Sequence, residues 1–543
     1  MFPNHPKGLP YLFFTEMWER FGYYLMIGIF LLYMIDTDMG GLEFPKKEAS
    51  DIFGTFIALV YLTPFMGGLL ADRVLGYRLS VTIGGILMGI GYMGLAIPGM
   101  SAFWFSLFLI IIGNGFFKPN ISTLLGNLYN DSQYKPFKDA GYSIFYMGIN
   151  IGAFVCNFFA AYLRNHYGWG YAFAAAGIGM LVGVAIFWLG NKHYAHADVK
   201  KEAKDTDNSV YKVLGSILLP AGIAGFLGWM IPGNIFGSDS TDAFLFATLP
   251  IIVFFLNIYI KAAPNEKQPI SALLSIYIIV ILFWAIFKQN GTALTVWAEN
   301  YTNREISAAV LPVVEPLGMT QTLTNEQGTY PAYDKNFRTE KDVDGKVVTT
   351  TTTHPYFINA PEKLPPAGAS VKLISTEIFQ SINPFFVIVL TPLVVGFFAM
   401  LRRRKREPTT ASKIGWGLLI TSLSSLVMVA AVYVSQNGLV KGSAWWLIGA
   451  YGVVTIGELC LSPMGLSLVN KLAPARIAAL MMGGWMLATS VGNKLSGVLA
   501  SMWDSYDDKA NFFWVNASLT LIAAAAMFIL LRWLNRVMRE HGA

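Results

Sequence analysis

The first long apolar stretch of the sequence carries a dense cluster of side chains that can ionise. Glu16, Glu19, Arg20, Tyr23 and Tyr24 all fall within nine consecutive positions. On a helix, Glu16 and Arg20 are four residues apart and share a face, as do Glu19 and Tyr23. Carboxylates that are desolvated beside a cation can titrate near neutral pH, which a proton relay requires. The cluster therefore indicates proton transfer, with a purely structural ion pair as the alternative.

Further charged residues lie inside other apolar stretches. Lys118 directly precedes Pro119, where a helix is weakened, and its ammonium could bind a carboxylate or pair with an acid. The alternative is that Lys118 reaches the membrane interface. Glu458 requires a cationic partner if it is buried. Lys494 either pairs with a neighbouring helix or reaches outward.

The elements that position these residues are membrane-spanning helices. Hydrophobic residues make up 54% of the 543 positions and charged residues only 13%, against about 25% charged in soluble domains. Apolar runs of about 20 residues, the length of a transmembrane helix, recur along the whole chain. They predict fourteen spans, at 11–35, 52–71, 79–98, 102–124, 140–162, 170–190, 214–232, 243–261, 271–299, 376–401, 412–434, 444–470, 475–503 and 511–535.

The connections between the spans predict the orientation and the organisation of the chain. Lys and Arg concentrate in alternate loops, such as 402–406, which places both termini in the cytoplasm. We expect a six-helix bundle at 1–192, a cytoplasmic linker with two extra helices at 193–270, and a second six-helix bundle at 271–543. A long extracytoplasmic loop at 302–375 has a composition typical of turns and short strands. Two helical halves around a central cavity favour a transporter.

Other classes of protein fit the sequence less well. The net charge of +6 is carried largely by interhelical loops, which indicates membrane orientation rather than nucleic-acid binding. An enzyme would need a nucleophile with a base or a metal cluster, and neither is apparent within the spans. Cys156 and Cys460 lie in apolar segments and are expected to be free thiols. No stretch resembles the filter loop of a channel, and we expect neither a metal nor a cofactor other than coupling protons.

Several motifs resemble the proton-dependent oligopeptide transporter family, a bacterial-type branch of the major facilitator superfamily with two extra helices. The string from Glu16 to Tyr24 is similar to the family's Glu-x-x-Glu-Arg-Phe signature, and 113–120 and 145–152 resemble its fourth-helix and fifth-helix motifs. The resemblance implies that Lys118 faces the cavity and that Asn150 binds the peptide backbone. The segment 67–78 resembles a superfamily loop motif, in which Asp72 and Arg73, together with Lys118, would contribute to gating.

The second half of the chain contains matching motifs. The segment 457–463 resembles the tenth-helix pattern, which implies that Glu458 receives the peptide amino group or pairs with Lys118. The resemblance also implies a substrate pocket shared with Tyr23 and Tyr24 of the first half. Its second-half members are expected to be Trp284, Lys288, Gln289, Asn383, Ser462 and Trp485.

Two positions depart from the family pattern. Ile27 stands where the family usually has a second arginine, and Lys288 stands where it usually has the acid that pairs with that arginine. The pair that closes the outer gate in the family cannot form here. We hypothesise that Lys288 instead favours acidic or otherwise anionic substrates, while Glu16, Glu19, Arg20 and Glu458 serve proton coupling.

The sequence as a whole predicts an all-α integral membrane protein with the major facilitator fold. The resemblance implies a proton-coupled symporter of di- and tripeptides that works by alternating access. We expect it to be a monomer in a bacterial inner membrane and not an enzyme. Two alternatives remain: the same fold carrying another anionic molecule such as nitrate, or a peptide exchanger with altered proton coupling.

Overall fold

Fourteen long helices account for most of the chain in the computed structural model, which describes residues 5–198, 210–334, 337–342, 346–474 and 477–541. Apolar runs become helices in a bilayer because every backbone group must be bonded internally where water is absent. Eleven helical segments of the described residues are long and apolar enough to cross a membrane. Each of the fourteen predicted spans coincides with a long helix.

The helices follow the predicted order along the chain. The first six are α1 (Leu9–Ile35), α2 (Lys46–Leu70), α3 (Tyr77–Leu95), α4 (Met100–Leu128), α5 (Lys138–Tyr167) and α6 (Trp169–Gly190). The accessory hairpin consists of α7 (Val210–Trp229) and α8 (Asp239–Ile260). The remaining helices are α9 (Pro264–Phe287), α10 (Ala293–Asn300), α11 (Leu311–Val314), α12 (Ile382–Arg403), α13 (Thr410–Val434), α14 (Ala444–Leu472), α15 (Ala478–Ser501) and α16 (Lys509–Glu540).

The predicted span at 271–299 is not one continuous helix. Helix α9 begins earlier, because Pro264 occupies the first turn, where its missing N–H costs no hydrogen bond. It ends at Phe287 and gives way to a 3₁₀ turn at Lys288–Gly291 before α10. Asn, Gly and Thr at 290–292 are weak helix formers, which explains the break. The expected span at 376–401 likewise opens with a 3₁₀ turn at Thr376–Ser381.

Two helical bundles pack against each other around a central cavity. In the first bundle α1 contacts α5 and α6, and α4 contacts α2 and α3; in the second, α13 contacts α14 and α16, and α9 contacts α15. The bundles meet where α2 packs on α15 and where α5 packs on α12. Glycine allows the closest helix approaches: a Cβ on Gly67 would lie 2.0 Å from the carbonyl oxygen of Gly115. The expected linker falls largely on 199–209, outside the described residues, and the domain boundaries remain a prediction.

Short strands organise the long loop, as its composition predicted. Strand β2 (Thr320–Thr324) pairs antiparallel with β5 (Ser370–Ile374), and β3 (Gly328–Pro331) pairs antiparallel with β4 (Thr349–Thr352). A two-residue strand after α10, β1 (Thr302–Asn303), pairs in parallel with β6 (Gly442–Ser443), just before α14. The loop therefore has a fold of its own and is attached to the helix ends.

A buried arginine holds the loop onto the helices. Arg304 is 1% exposed, and its Nη1 donates to Gln321 Oε1 at 3.0 Å and to the carbonyl of Ile374 at 2.9 Å. Its Nη2 lies 3.4 Å from Oε1 of Glu299 at the end of α10. Nearby, burial lowers the pKa of His354 to about 4, so this imidazole is neutral at physiological pH. Arg304 is thus the cation that compensates Glu299.

Replacing this arginine should destabilise the protein markedly. We expect Arg304→Met to cost about 3 kcal/mol, because it leaves the Glu299 carboxylate without its cation. The loss should appear as a lower thermal unfolding temperature of the purified protein and as faster proteolysis within the loop. Arg338→Met is the matched control, since Arg338 is 38% exposed in its ion pairs. Equal effects of the two variants would contradict this role for Arg304.

Candidate functional site

A cavity of about 270 Å³ lies between the two bundles and contains most of the predicted site residues. Helices α1, α2, α4 and α5 line one side, and α9, α12 and α14 line the other. The predicted residues on its wall are Glu16, Arg20, Tyr23, Tyr24, Lys118, Asn150, Trp284, Lys288, Asn383, Glu458 and Ser462. Residues from spans hundreds of positions apart therefore share one polar chamber inside the membrane-spanning region.

The carboxylates of α1 are held by one arginine. Arg20 Nε lies 2.9 Å from Glu16 Oε1 and 2.6 Å from Glu19 Oε2, and all three side chains are at most 4% exposed. Glu16 and Arg20 reach the cavity, whereas Glu19 lies behind Arg20. Among the described residues, Glu16 Oε2 and Glu19 Oε1 accept no hydrogen bond. Each carboxylate thus retains an oxygen that could take up a proton.

The ring of one tyrosine lies close to both lysines of the cavity. Lys118 Nζ lies 3.9 Å from the centroid of the Tyr61 ring, and Lys288 Nζ lies 5.3 Å from it. Lys118 comes from the first bundle and Lys288 from the second, so the Tyr61 ring stands between cations of both halves. The attraction of an ammonium to an aromatic face partly offsets the loss of water around these buried charges.

Glu458 hydrogen-bonds to Asn383 and does not pair with Lys118. Its Oε2 accepts a hydrogen bond from Asn383 Nδ2 at 3.1 Å, and that amide also donates to Thr455 Oγ1 at 2.9 Å. Among the described residues Glu458 forms no ion pair, so the pairing with Lys118 is absent in this conformation. Lys118 instead lies on the ring of Tyr61. The Glu458 carboxylate is therefore available to an incoming cation.

The charges on the cavity wall are unequal. Arg20, Lys118 and Lys288 contribute three positive charges, and Glu16 and Glu458 contribute two negative ones. The wall therefore has a formal charge of +1 when every group is ionised. Ile27 also lines the cavity, so both altered positions of the family's gate pair face this chamber.

Two predicted pocket residues lie elsewhere. Gln289 is 2% exposed, and its Nε2 donates to the carbonyls of Ala285 and Ser496, each at 3.2 Å. The 3₁₀ turn changes the helical periodicity at this point and directs Gln289 toward α15. Trp485 is buried between α9 and α14, with its ring 6.3 Å from that of Tyr277 and in close contact with Gly465. Neither lines the cavity.

The predicted gating residues are only partly observable. The side chains of Asp72 and Arg73 lie outside the described part of the structure, while Lys118 lies in the central cavity. Arg78, in the same motif, donates from Nε to Asp198 Oδ2 at 2.9 Å and from Nη1 to Asn191 Oδ1 at 2.6 Å. The end of this motif is thus bonded to the segment that follows α6.

Sequence reasoning missed several polar residues of the cavity. They are Tyr61, Tyr146, Asn157, Asn290 and Gln380. Tyr146, Asn150 and Asn157 are spaced by four and seven residues, which places them on one face of α5 and could have revealed them. Asn157 Nδ2 donates to Ser381 Oγ of the second half at 3.0 Å. A Cβ on Gly28 would lie 2.2 Å from Asn157 Oδ1, so a larger residue here would require the Asn157 side chain to move.

Ion pairs join the bundles at the end of the cavity that faces the long loop. Arg164 Nε of α5 lies 3.1 Å from Glu377 Oε1, and Lys494 Nζ of α15 lies 2.5 Å from Asp51 Oδ1 of α2. Lys494, unexplained by the sequence, therefore pairs with a neighbouring helix rather than reaching outward. This end of the chamber is closed in the structure.

Comparisons with known proteins agree with this architecture. A family model described as the POT family matches residues 78–321 and 370–515. The uncharacterized transporter YclF of Bacillus subtilis (strain 168) is 30% identical over 99% of this chain and 96% of its own length. The di-/tripeptide transporter of Lactococcus lactis subsp. lactis (strain IL1403) is 28% identical over 99% of this chain and 98% of its own.

Solved structures show the same arrangement of helices. A crystal structure of peptide transporter POT in complex with sulfate has a TM-score of 0.73 and 29% identity, and the match covers 99% of this chain and 96% of that one. A POT family transporter in complex with 5-aminolevulinic acid has a TM-score of 0.76 and 25% identity, covering 98% of each chain. The predicted fold class is confirmed.

Proposed function

Because the chain belongs to the POT family, we propose that it carries di- and tripeptides across the membrane together with protons. The observation that carries this proposal is the cavity between the bundles, where carboxylates (Glu16 and Glu458) and cations (Lys118 and Lys288) line one chamber. Relatives that match nearly the full chain are named di-/tripeptide transporters. Access would alternate as the two bundles rock around the site.

The cavity offers a partner for each group that all peptides share. We propose that Glu458 receives the peptide amino group, because it has an acceptor oxygen and forms no ion pair with another described residue. Lys118 would bind the carboxylate, and Asn150 would bind the backbone amide. Asn150 Nδ2 now donates to the carbonyl of Tyr146 at 2.9 Å, leaving its oxygen to accept from a peptide N–H. Anchoring only shared groups would permit many side chains.

Protons would use the carboxylates of α1. Glu16 and Glu19 share Arg20, so protonation of one carboxylate strengthens the ion pair of the other. We propose that this triad, with Glu458, couples proton entry to peptide binding, with protons as the only coupling species and no cofactor. We further propose a monomer in the bacterial inner membrane with both termini in the cytoplasm.

Uptake of labelled dialanine into proteoliposomes tests the proposal. Accumulation driven by an inward proton gradient is the expected result. Exchange without accumulation would instead indicate a peptide exchanger with altered coupling. No uptake or exchange of dialanine would reject peptide transport and direct the search to other anionic cargo.

A second candidate function is a preference for acidic peptides or other anionic cargo. It is favoured by Lys288, which lines the cavity and gives its wall an excess of positive charge. We expect Lys288→Ala to lower uptake of alanyl-aspartate relative to dialanine about tenfold, because one charge-assisted contact is lost.

Competition assays with both dipeptides would measure this ratio. Lys288→Arg keeps the charge and is the matched control, for which we expect an acidic preference near that of the wild type. An unchanged ratio in Lys288→Ala would refute the hypothesis.

A further inference from the structure

The ion pair between Asp51 and Lys494 connects the two halves of the molecule in a nearly dry environment. Lys494 is 2% exposed and Asp51 is 13% exposed, and their atoms Nζ and Oδ1 are 2.5 Å apart. Close beside them, a Cβ on Gly54 would lie 2.6 Å from the Cα of Gly497, so α2 and α15 touch through their backbones. The pair therefore joins the two halves at the point where their helices close this end of the cavity.

The accessory hairpin forms hydrogen bonds with both members of this ion pair. Ser240 Oγ donates to Asp51 Oδ2, and Thr241 Oγ1 donates to Asp51 Oδ1 at 3.0 Å. Lys494 Nζ in turn donates to Ser240 Oγ at 3.0 Å and to Thr55 Oγ1 at 2.7 Å. The hairpin thus makes two hydrogen bonds to the carboxylate of the first half and one to the ammonium of the second.

The first turn of α8 presents these hydroxyls in a fixed geometry. Ser238 caps the helix by accepting from the backbone N–H of Thr241 at 3.2 Å. Asp242 accepts from the backbone N–H groups of Ile235 and Phe236 at 2.6 and 2.8 Å, which holds the turn before α8. The backbone that carries the hydroxyls is therefore held by contacts that do not involve Lys494.

Opening this end of the cavity separates a buried pair, and a buried carboxylate left without partners is strongly unfavourable. Asp51 would lose Lys494 but could keep both hydroxyl donors, because the hairpin is bonded more extensively to α2 than to α15 in this network. Hydrogen bonds to a charged group are worth more than neutral ones. The hydroxyls would therefore lower the cost of opening.

We propose that Ser240 and Thr241 are positioning residues for transport, which keep Asp51 hydrogen-bonded when Lys494 withdraws, so that the accessory hairpin assists opening of the loop-facing gate. This inference rests on the proposed function for its link to transport. It gives the two extra helices, whose described residues do not line the central cavity, a part in the transport cycle.

Distances between spin labels test the inference without any substrate. Labels at Met39 and Leu439, exposed residues on the loop-facing connections of the two halves, would report opening in nanodiscs. The background would lack the two buried cysteines, Cys156 and Cys460. We expect the Ser240→Ala/Thr241→Ala variant to reduce the open population about tenfold. Lys494→Met should increase it, because Asp51 then keeps its hydroxyl donors but loses the partner that holds the gate closed.

Two further variants separate positioning from a general loss of structure. Thr248→Ala removes a hydroxyl of α8 whose one hydrogen bond among the described residues is to the carbonyl of Leu245 of its own helix, and it should leave the populations unchanged. Exchanging the two residues, Ser240→Thr/Thr241→Ser, retains both hydroxyls and should restore opening. An unchanged or larger open population in the double alanine variant would overturn the inference. So would an open population of the exchange variant no larger than that of the double alanine variant.

Transport then tests the link to function. The double alanine variant should lower the maximal rate of dialanine uptake about tenfold with little change in KM, since the central cavity is intact. One outcome is that the wild-type protein carries no dialanine while the variants still change the label distances as expected. That outcome would reject the proposed function but would leave the hairpin's role in opening intact. Normal distances together with a normal rate in the double alanine variant would reject the inference alone.

Discussion

Glu19→Gln should abolish accumulation of dialanine under an inward proton gradient while preserving exchange of labelled for unlabelled dialanine within about twofold. Glu19 is fully buried, its Oε2 lies 2.6 Å from Arg20 Nε, and its other oxygen accepts no bond among the described residues. The amide retains the shape and an acceptor oxygen but cannot take up a proton. Exchange needs no net proton movement and therefore tests binding separately from coupling.

Glu48→Gln is the matched control for this experiment. Glu48 lies exposed in the first turn of α2, away from the central cavity, and its variant should accumulate dialanine like the wild type. Gradient-driven accumulation by Glu19→Gln at the wild-type level would show that Glu19 carries no coupling proton. Loss of both accumulation and exchange would assign Glu19 to the structure of the site rather than to coupling.

Lys118→Met should reduce both accumulation and exchange of dialanine by about tenfold or more. Methionine approximates the length of the side chain and removes the ammonium that we propose binds the peptide carboxylate. Arg20 cannot substitute for the Lys118 ammonium, because its guanidinium already forms ion pairs with Glu16 and Glu19. The effect should appear mainly as weaker binding, measured by the concentration of unlabelled dialanine that competes with the labelled peptide.

Tyr61→Phe is the control that separates the ammonium from its aromatic neighbour. It keeps the ring that lies 3.9 Å from Lys118 Nζ, so the lysine should hold its position and binding should change by less than about threefold. If Lys118→Met bound dialanine as tightly as the wild type, another cation of the cavity, with Lys288 the first to test, would have to hold the carboxylate.

The linear sequence was sufficient to identify the membrane spans and the charged residues within them. A run of about 20 apolar residues is stable across a bilayer as a helix, in which every backbone group is hydrogen-bonded internally. The fourteen helices therefore follow from local composition. The charges of α1 were predicted to meet because four residues make about one turn, and Arg20 does lie 2.9 Å from Glu16. The local rule was sufficient for this pair because both partners belong to one helix.

Contacts between distant helices were decided by tertiary packing. Lys494 pairs with Asp51, 443 positions away, and Tyr61 lies between the lysines of both halves, which no spacing in the sequence reveals. The same holds for Glu458, which bonds Asn383 rather than Lys118, and for Gln289, which the 3₁₀ turn directs toward α15. The position of a residue in the helical repeat specifies which face of its helix it occupies. Which face of another helix it meets depends on backbone approach at small residues such as Gly54 and Gly497, and that is a property of the folded chain alone.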